Sequence, residues 1–466
     1  MMRIFLLTLL ANTAVVIPIC DAFTFRHNNH HSPSINNYGK LFQPADFPTI
    51  FKASSSNEAD NTGIANTVTT TYETTLVANG GTRQSSKRSQ LRNIFRKNDD
   101  ARNAQKLHRF TYDYDEMIIG NTSNNSDTTT AIMLIHPIGV GIGKWYYDRL
   151  LHSLQDKYGD IRHRLVFLSP DLIGSATASG PTDENGEPIP KFPLLKVTDW
   201  TEQVTQLMAE YETKSEEEGH LISNWSIVAN GGCSPIALQV AASSTSSSLR
   251  RDEKPPFKAA VTNVILSSPP RLPFFLESTD PIKVRKSYRT LSGISGKLFW
   301  WYALRKNGKF IRTFSEKNLV GDAANLGEEW TPNCLKAARL HGGRSRYSTF
   351  AFLAGTLQDG CAESLNKLKN ESGAGVMIDF IRGGDKRRNR ARSWFWTRKK
   401  TKADGDEGDG EDGAVDDVDA PVEDTIQQYV YTNGNRGKEL YVGGRISLAW
   451  EDSGGYAKSV MELLCE

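Results

Sequence analysis

Short, mostly apolar runs punctuate this chain at residues 131–135, 165–168, 225–229, 261–266 and 376–381; the first two are apolar throughout, and the others carry Ser226, Thr262, Asn263 and Asp379. A largely apolar run too short for a helix fits a strand covered on both faces, as parallel strands are. Residues 110–114 differ. They alternate, and predict a first strand with one face toward solvent. Between the runs, residues 145–154, 197–211 and 235–242 carry apolar positions at helical spacing. Strands alternating with helices predict an α/β protein with a doubly wound, mostly parallel sheet.

Two stretches break the rhythm. Residues of about 270–370 are rich in helix formers and aromatics, among them Phe299, Trp300, Trp301, Trp330, Phe350 and Phe352. They predict a helical cap inserted between two strands, its aromatics serving packing more than ligand contact. Residues 386–427 form a charged, low-complexity insertion. Nine basic residues surround Trp394, Phe395 and Trp396, and eleven acids follow between Asp404 and Asp424. Such runs are solvated as a rule, and the two halves can pair with each other. A basic cluster around two tryptophans also suits an anionic membrane surface.

Of the 466 residues, 38% are apolar, few for a wholly globular chain, so polar tails dilute an ordinary core. A net charge of +2 gives no general pull toward nucleic acid. The five cysteines lie far apart, without the paired spacing of a zinc site or a disulfide framework. No pattern in the chain asks for a metal or cofactor.

The polar tails begin at the amino terminus. Arg3 precedes an apolar run over residues 4–19, and small residues flank a cut after Ala22. That is the shape of a signal peptide, residues 1–22, and is too short for a membrane span. From Phe23 to Phe51 the only acid is Asp46 among many Asn, Ser and His. Residues 23–105 have a transit-like composition and too little apolar surface to order themselves. Ala22-Phe23 followed by this tract resembles the bipartite pre-sequence of algae with secondary plastids, which implies a plastid destination. Plain secretion is the alternative, and Asn121 and Asn124 then head glycosylation triplets.

The segment that bears on chemistry is the strand–turn–helix at residues 225–242. A nucleophile elbow sets Ser, Cys or Asp on a sharp turn between small residues. One register, Ala229-Asn230-Gly231-Gly232-Cys233, follows the strand directly and puts Gly231 at the apex. Registers further along put Cys233 or Ser234 there, the last with bulky Ile236 where a small residue is needed.

Here the chain resembles the α/β-hydrolase fold family. Within it, the chain is similar to plastid and cyanobacterial members whose first loop reads as Leu134-Ile135-His136-Pro137-Ile138-Gly139-Val140-Gly141 does here. The likeness runs from about Phe110 to the C-terminus, the charged insertion excluded. It implies a Ser elbow, an acid after the penultimate strand, a late His, and an oxyanion-hole N–H from the His136–Gly139 loop. Pro137 has no N–H, so Ile138 is the implied donor. His136 itself is expected to be structural.

The departures are specific. Glycine at the apex offers no nucleophile. The last of the nine histidines is His341, in the cap, and Arg445 or Ile446 stands where the family's His belongs. Arginine stays protonated and cannot act as a base. Asp385 sits where the acid belongs, beside Lys386, Arg387 and Arg388, in what is otherwise a surface turn. The expectation is therefore a degraded triad and a non-catalytic protein. Its cleft between sheet and cap would bind a small apolar or acyl-type ligand, or a partner protein. The rival is an ester or thioester hydrolase using Cys233 with an unrecognised base such as His341. A third reading is a scaffold acting through residues 386–427.

Overall fold

The computed structural model describes residues 65–75, 107–120, 128–183, 185–189, 192–245, 257–304, 308–370, 375–384, 426–432, 434–435 and 437–465. The expected signal peptide, most of the transit-like tract, Asp385, and residues 386–425 with Trp394 and Trp396 lie outside them.

Eight strands form one sheet: β1 (Asn66–Thr75), β2 (Leu107–Ile119), β3 (Thr128–Ile135), β4 (Leu165–Pro170), β5 (Leu221–Asn230), β6 (Ala260–Ser267), β7 (Met377–Gly383) and β8 (Glu439–Val442). Their order across the sheet is β1-β2-β4-β3-β5-β6-β7-β8. β2 runs antiparallel to both neighbours, and every pairing from β4 to β8 is parallel. This is the α/β-hydrolase fold.

Alternation within the apolar runs explains why two layers of helices are needed. Ala131, Met133 and Ile135 of β3 enter one core, while Ile132 and Leu134 enter the other. The first core is closed by α2 (Val197–Glu217) and α3 (Ser234–Thr245), through residues such as Trp200, Leu207 and Ile236. The second is closed by α1 (Asp148–Tyr158) and by α13 (Ser453–Leu464), through Leu150, Leu154, Tyr456 and Val460. Each strand residue in the middle of the sheet therefore loses its water whichever way it points, worth about 1.5–3 kcal/mol per large side chain.

The cap lies between β6 and β7. It consists of α4 (Leu272–Leu276), α5 (Pro281–Ser292), α6 (Ile294–Leu304), α7 (Lys309–Asn318), α8 (Trp330–Gly343), α9 (Arg346–Ala354) and α10 (Cys361–Asn370). After it come α11 (Ile426–Thr432) before β8, and the short α12 (Leu448–Glu451) before α13. Trp145 after β3, Trp330 of α8 and Trp450 of α12 meet edge to face, each pair of ring centroids 5.2 Å apart. That triad of indoles pins the cap to the sheet domain.

Two sequence expectations need correction. The tract 23–105 was expected to lack order, yet it contains β1, which pairs with β2 over ten positions. Its β-branched threonines favour extended backbone. Its outer side chains bond instead of packing: Thr67 Oγ1 donates to Asp115 (2.7 Å) and Thr69 Oγ1 to Asp113 (2.8 Å). The strand at 110–114 is consequently the second, and longer than its alternating stretch. The charged insertion, expected to reach residue 427, ends earlier, since Ile426 and Gln427 already belong to α11.

Candidate functional site

The site is assembled at the carboxyl ends of β3, β5 and β8. β5 ends at Asn230, a single 3-10 turn covers Gly231–Cys233, and α3 starts at Ser234. Gly231 has φ +55°, a region L side chains rarely occupy. A Cβ added at Gly231 would meet nothing within 4 Å. At Gly232 it would fall 2.7 Å from the Phe352 ring of α9. The backbone strain of an elbow apex and the open side of the turn thus coincide at Gly231.

The other two register candidates are occupied differently. Cys233 is fully buried, with the Ile138 N–H directed at its sulfur as a donor. Burial pushes its thiol up to about 12, outweighing that hydrogen bond. Ser234 is also buried, and its hydroxyl donates to the Gly231 carbonyl at 2.7 Å, closing the start of α3. Asn230, before the apex, donates from Nδ2 to Ser267 Oγ and to the Ile446 carbonyl, each at 3.3 Å.

In the loop after β3, His136 is fully buried. Leu172 N–H donates to its Nε2 at 3.1 Å, so the ring proton sits on Nδ1 and faces the Pro137 carbonyl at 3.0 Å. Burial lowers its pKa, opposed by the nearby Asp171 carboxylate, and the imidazole is neutral. Both ring nitrogens are spent on backbone, so His136 ties this loop to the one after β4. The cap seals the loop from above. Thr349 Oγ1 of α9 donates to the Gly139 carbonyl at 3.0 Å. Gly141, at φ +71°, lies so close to Cys334 of α8 that a Cβ there would be 1.9 Å from its carbonyl oxygen.

The loop after β8 carries Arg445 and Ile446 and no imidazole. Arg445 N–H donates to Glu451 Oε1 (2.8 Å), and the N–H groups of Ile446 and Ser447 both donate to the Leu319 carbonyl (3.1 Å each). The Arg445 guanidinium reaches the Lys317 carbonyl at 2.6 Å. His341 follows a break in α8, at φ +49°, and its Nε2 lies 3.0 Å from the Thr177 carbonyl. β7 ends at Gly383, with Gly384 N–H bonded to the Val442 carbonyl (2.8 Å), so Asp385 falls just past the described residues. Among the described residues no group of three or more His, Cys, Asp or Glu is placed to hold a metal ion.

Gly231, Cys233, Ile138 and Ile446 are thus brought together around one turn, with Gly139 at its edge under the cap. His136 and His341 are engaged elsewhere. The sequence reading missed Phe352 and Ser267 as neighbours of the apex. No local signal marks them, because Ser267 arrives from β6 and Phe352 from the cap. Two surface cavities lie away from this turn. One, of about 400 Å³, is bounded by α1, Glu329, Asn333, Trp450 and Ser453; the other, about 180 Å³, lies at the opposite ends of β5 and β6, beside Glu212 and Lys258.

No protein-family model matches the chain, and no curated protein does. Among solved structures it is similar to the peroxisomal alpha-beta-hydrolase Lpx1 from Saccharomyces cerevisiae, at 11% identity over 86% of this chain and 89% of that one, with a TM-score of 0.47. It is also similar to the epoxide hydrolase CorEH (10%, 76% and 95%, TM-score 0.42) and to the enol-lactonase from Burkholderia xenovorans LB400 (11%, 76% and 97%, TM-score 0.39). At these identities the likeness concerns the fold, which the strand order establishes independently.

Proposed function

We propose that this chain is a non-catalytic protein built on the α/β-hydrolase fold, whose turn at Gly231 holds a small apolar or acyl-type ligand without turning it over. The observation that carries the reading is Gly231 itself: a left-handed apex whose open side has room for a nucleophile and carries none. Around the turn lie the Phe352 ring, which rests on Gly232, the Ile138 N–H and the Ile446 carbonyl. An aromatic face with a few backbone polar groups suits an acyl chain.

Cys233 is a poor substitute nucleophile. A thiol at about 12 is ionised to only about one part in 10⁵ at neutral pH, and the thiolate is the reactive form. A covalent step also needs a base beside the nucleophile, and the loop after β8 supplies arginine and isoleucine.

The test uses p-nitrophenyl esters of short and medium acyl chains with the wild-type chain and Cys233→Ala. Both should match the uncatalysed rate. Turnover by wild type that Cys233→Ala abolishes would sink the non-catalytic reading and favour the thiol hydrolase. A fluorescent fatty-acid probe should bind saturably, and Gly231→Leu, which fills the open space, should weaken it at least about tenfold. Absence of saturable binding by any acyl probe would shift the role from a ligand to a partner protein.

A further inference from the structure

We propose that the outer face of the cap hairpin α5–α6 docks on an anionic lipid membrane. Four large apolar side chains stand exposed on these two helices: Ile282 (77%), Ile294 (79%), Leu298 (51%) and Trp301 (55%). On α6 they fall at helical spacing, Ile294, Leu298 and Trp301, and so form one stripe. On α5 the exposed positions Ile282, Arg285, Lys286 and Arg289 share a face in the same way. The opposite faces are anchored. Tyr288 donates to the Pro193 carbonyl at 2.9 Å, and Trp300 packs edge to face on Phe350 of α9. The two helices pack against each other, so the two exposed stripes lie on adjoining elements of the cap.

Charge decides what that side fits. Between Pro281 and Leu304 there are five lysines and arginines and no aspartate or glutamate. All five (Lys283, Arg285, Lys286, Arg289 and Lys297) are exposed. Asp280, just before, is used in capping α5, accepting from Ile282 N–H at 2.9 Å. A face that combines a tryptophan-containing apolar stripe with cations, and no acid on either helix, matches the interface of an anionic bilayer, where the stripe enters the acyl boundary and the cations meet phosphates. Among the described residues no helix is long and apolar enough to cross a membrane, so the contact lies along the surface. A second copy of the chain fits poorly, since it would set five cations against five. The acidic run from Asp404 to Asp424 complements the charge but has no aromatic or long aliphatic residue to cover Leu298 and Trp301.

The experiment is sedimentation with vesicles, using the chain from Phe23 onward so that the apolar run at 4–19 does not partition by itself. Vesicles of phosphatidylcholine are compared with vesicles containing about 30% phosphatidylglycerol, at low salt and at about 0.5 M salt, where screening shortens the reach of the charges. The expected result is partition onto the anionic vesicles, loss of it at high salt, and at least tenfold weaker partition for Arg285→Glu/Arg289→Glu and for Leu298→Asp/Trp301→Ser. All four residues are exposed, so the thermal midpoint should not move, and this is checked in parallel. No partition, equal partition onto neutral vesicles, or partition that neither double variant weakens would overturn the proposal. So would partition seen only after deleting residues 386–425, which would make the acidic segment the occupant of this face in the intact chain.

Discussion

The turns after β3 and after β5 both rest on glycines in the left-handed region, Gly141 at φ +71° and Gly231 at φ +55°. Their surroundings are opposite. Cap helix α8 presses its Cys334 carbonyl against Gly141, leaving no room for even one carbon, while Gly231 faces open space on its Cβ side. The first glycine is required by packing and the second only by backbone angle. The cap closes over the β3 loop, whereas the turn after β5 is open on the Cβ side of Gly231. The loop after β8 adds a third element. There the backbone N–H groups of Arg445, Ile446 and Ser447 are all tied down, to Glu451 and to Leu319 of the cap.

The sharpest break of that comparison is alanine at each glycine. Gly141→Ala adds a backbone collision to the φ penalty and should cost about 3 kcal/mol or more, whereas Gly231→Ala should cost only the strain, about 1–2 kcal/mol. Urea denaturation midpoints measure both; equal losses would mean that the open space at Gly231 is not there in solution.

Next in size is Gly231→Ser, which restores a hydroxyl where there is room for it. The variant should fold with a loss of about 1–2 kcal/mol and still hydrolyse p-nitrophenyl esters no faster than wild type. Rapid turnover would reveal a base that neither Arg445 nor Ile446 can be.

A smaller effect concerns the helix that follows the β3 turn. Burial raises the Asp148 carboxyl from 3.8 to about 7, with the Asp115 carboxylate adding to the effect. The folded form therefore holds its proton more tightly than the unfolded chain. The stability contributed is full below about pH 4 and is lost as pH rises through about 7. Asp148→Asn should leave the thermal midpoint nearly unchanged at pH 4 and raise it at pH 8. A variant that gains nothing at pH 8 would show that Asp148 is ionised without penalty.

The smallest effect is thiol reactivity. Cys233, Cys334 and Cys361 are buried, and Cys465 is exposed. In the native chain from Phe23 onward, a thiol reagent should modify Cys465 quickly and the other three only in denaturant. Fast labelling lost in Cys233→Ala would mean that the elbow opens.

The parallel strands were legible because most of their residues are apolar on both faces of the sheet. Ile132 and Met133 point to opposite faces of the sheet, and both faces are covered. β1 was not legible, because one residue after another is a threonine whose partner lies in β2, and no periodicity records a partner. The elbow register was open among Gly231, Cys233 and Ser234. Three contacts distinguish them: Phe352 on Gly232, Ile138 on Cys233, and Ser234 on the Gly231 carbonyl. Only the last is local in sequence.

What the chain determines by itself is what composition and order can state. It has apolar runs that must be buried on two sides, a glycine pair directly after one of them, and no histidine beyond His341. Burial of apolar surface depends on the residues alone and survives any detail of packing. What the tertiary structure decided is which of these groups are accessible, because access depends on neighbours brought from distant positions by the fold. Burial in the core holds the Cys233 thiol protonated against the Ile138 N–H that favours its ionised form, and the Cβ side of Gly231 is open while Phe352 of the cap rests one residue further on.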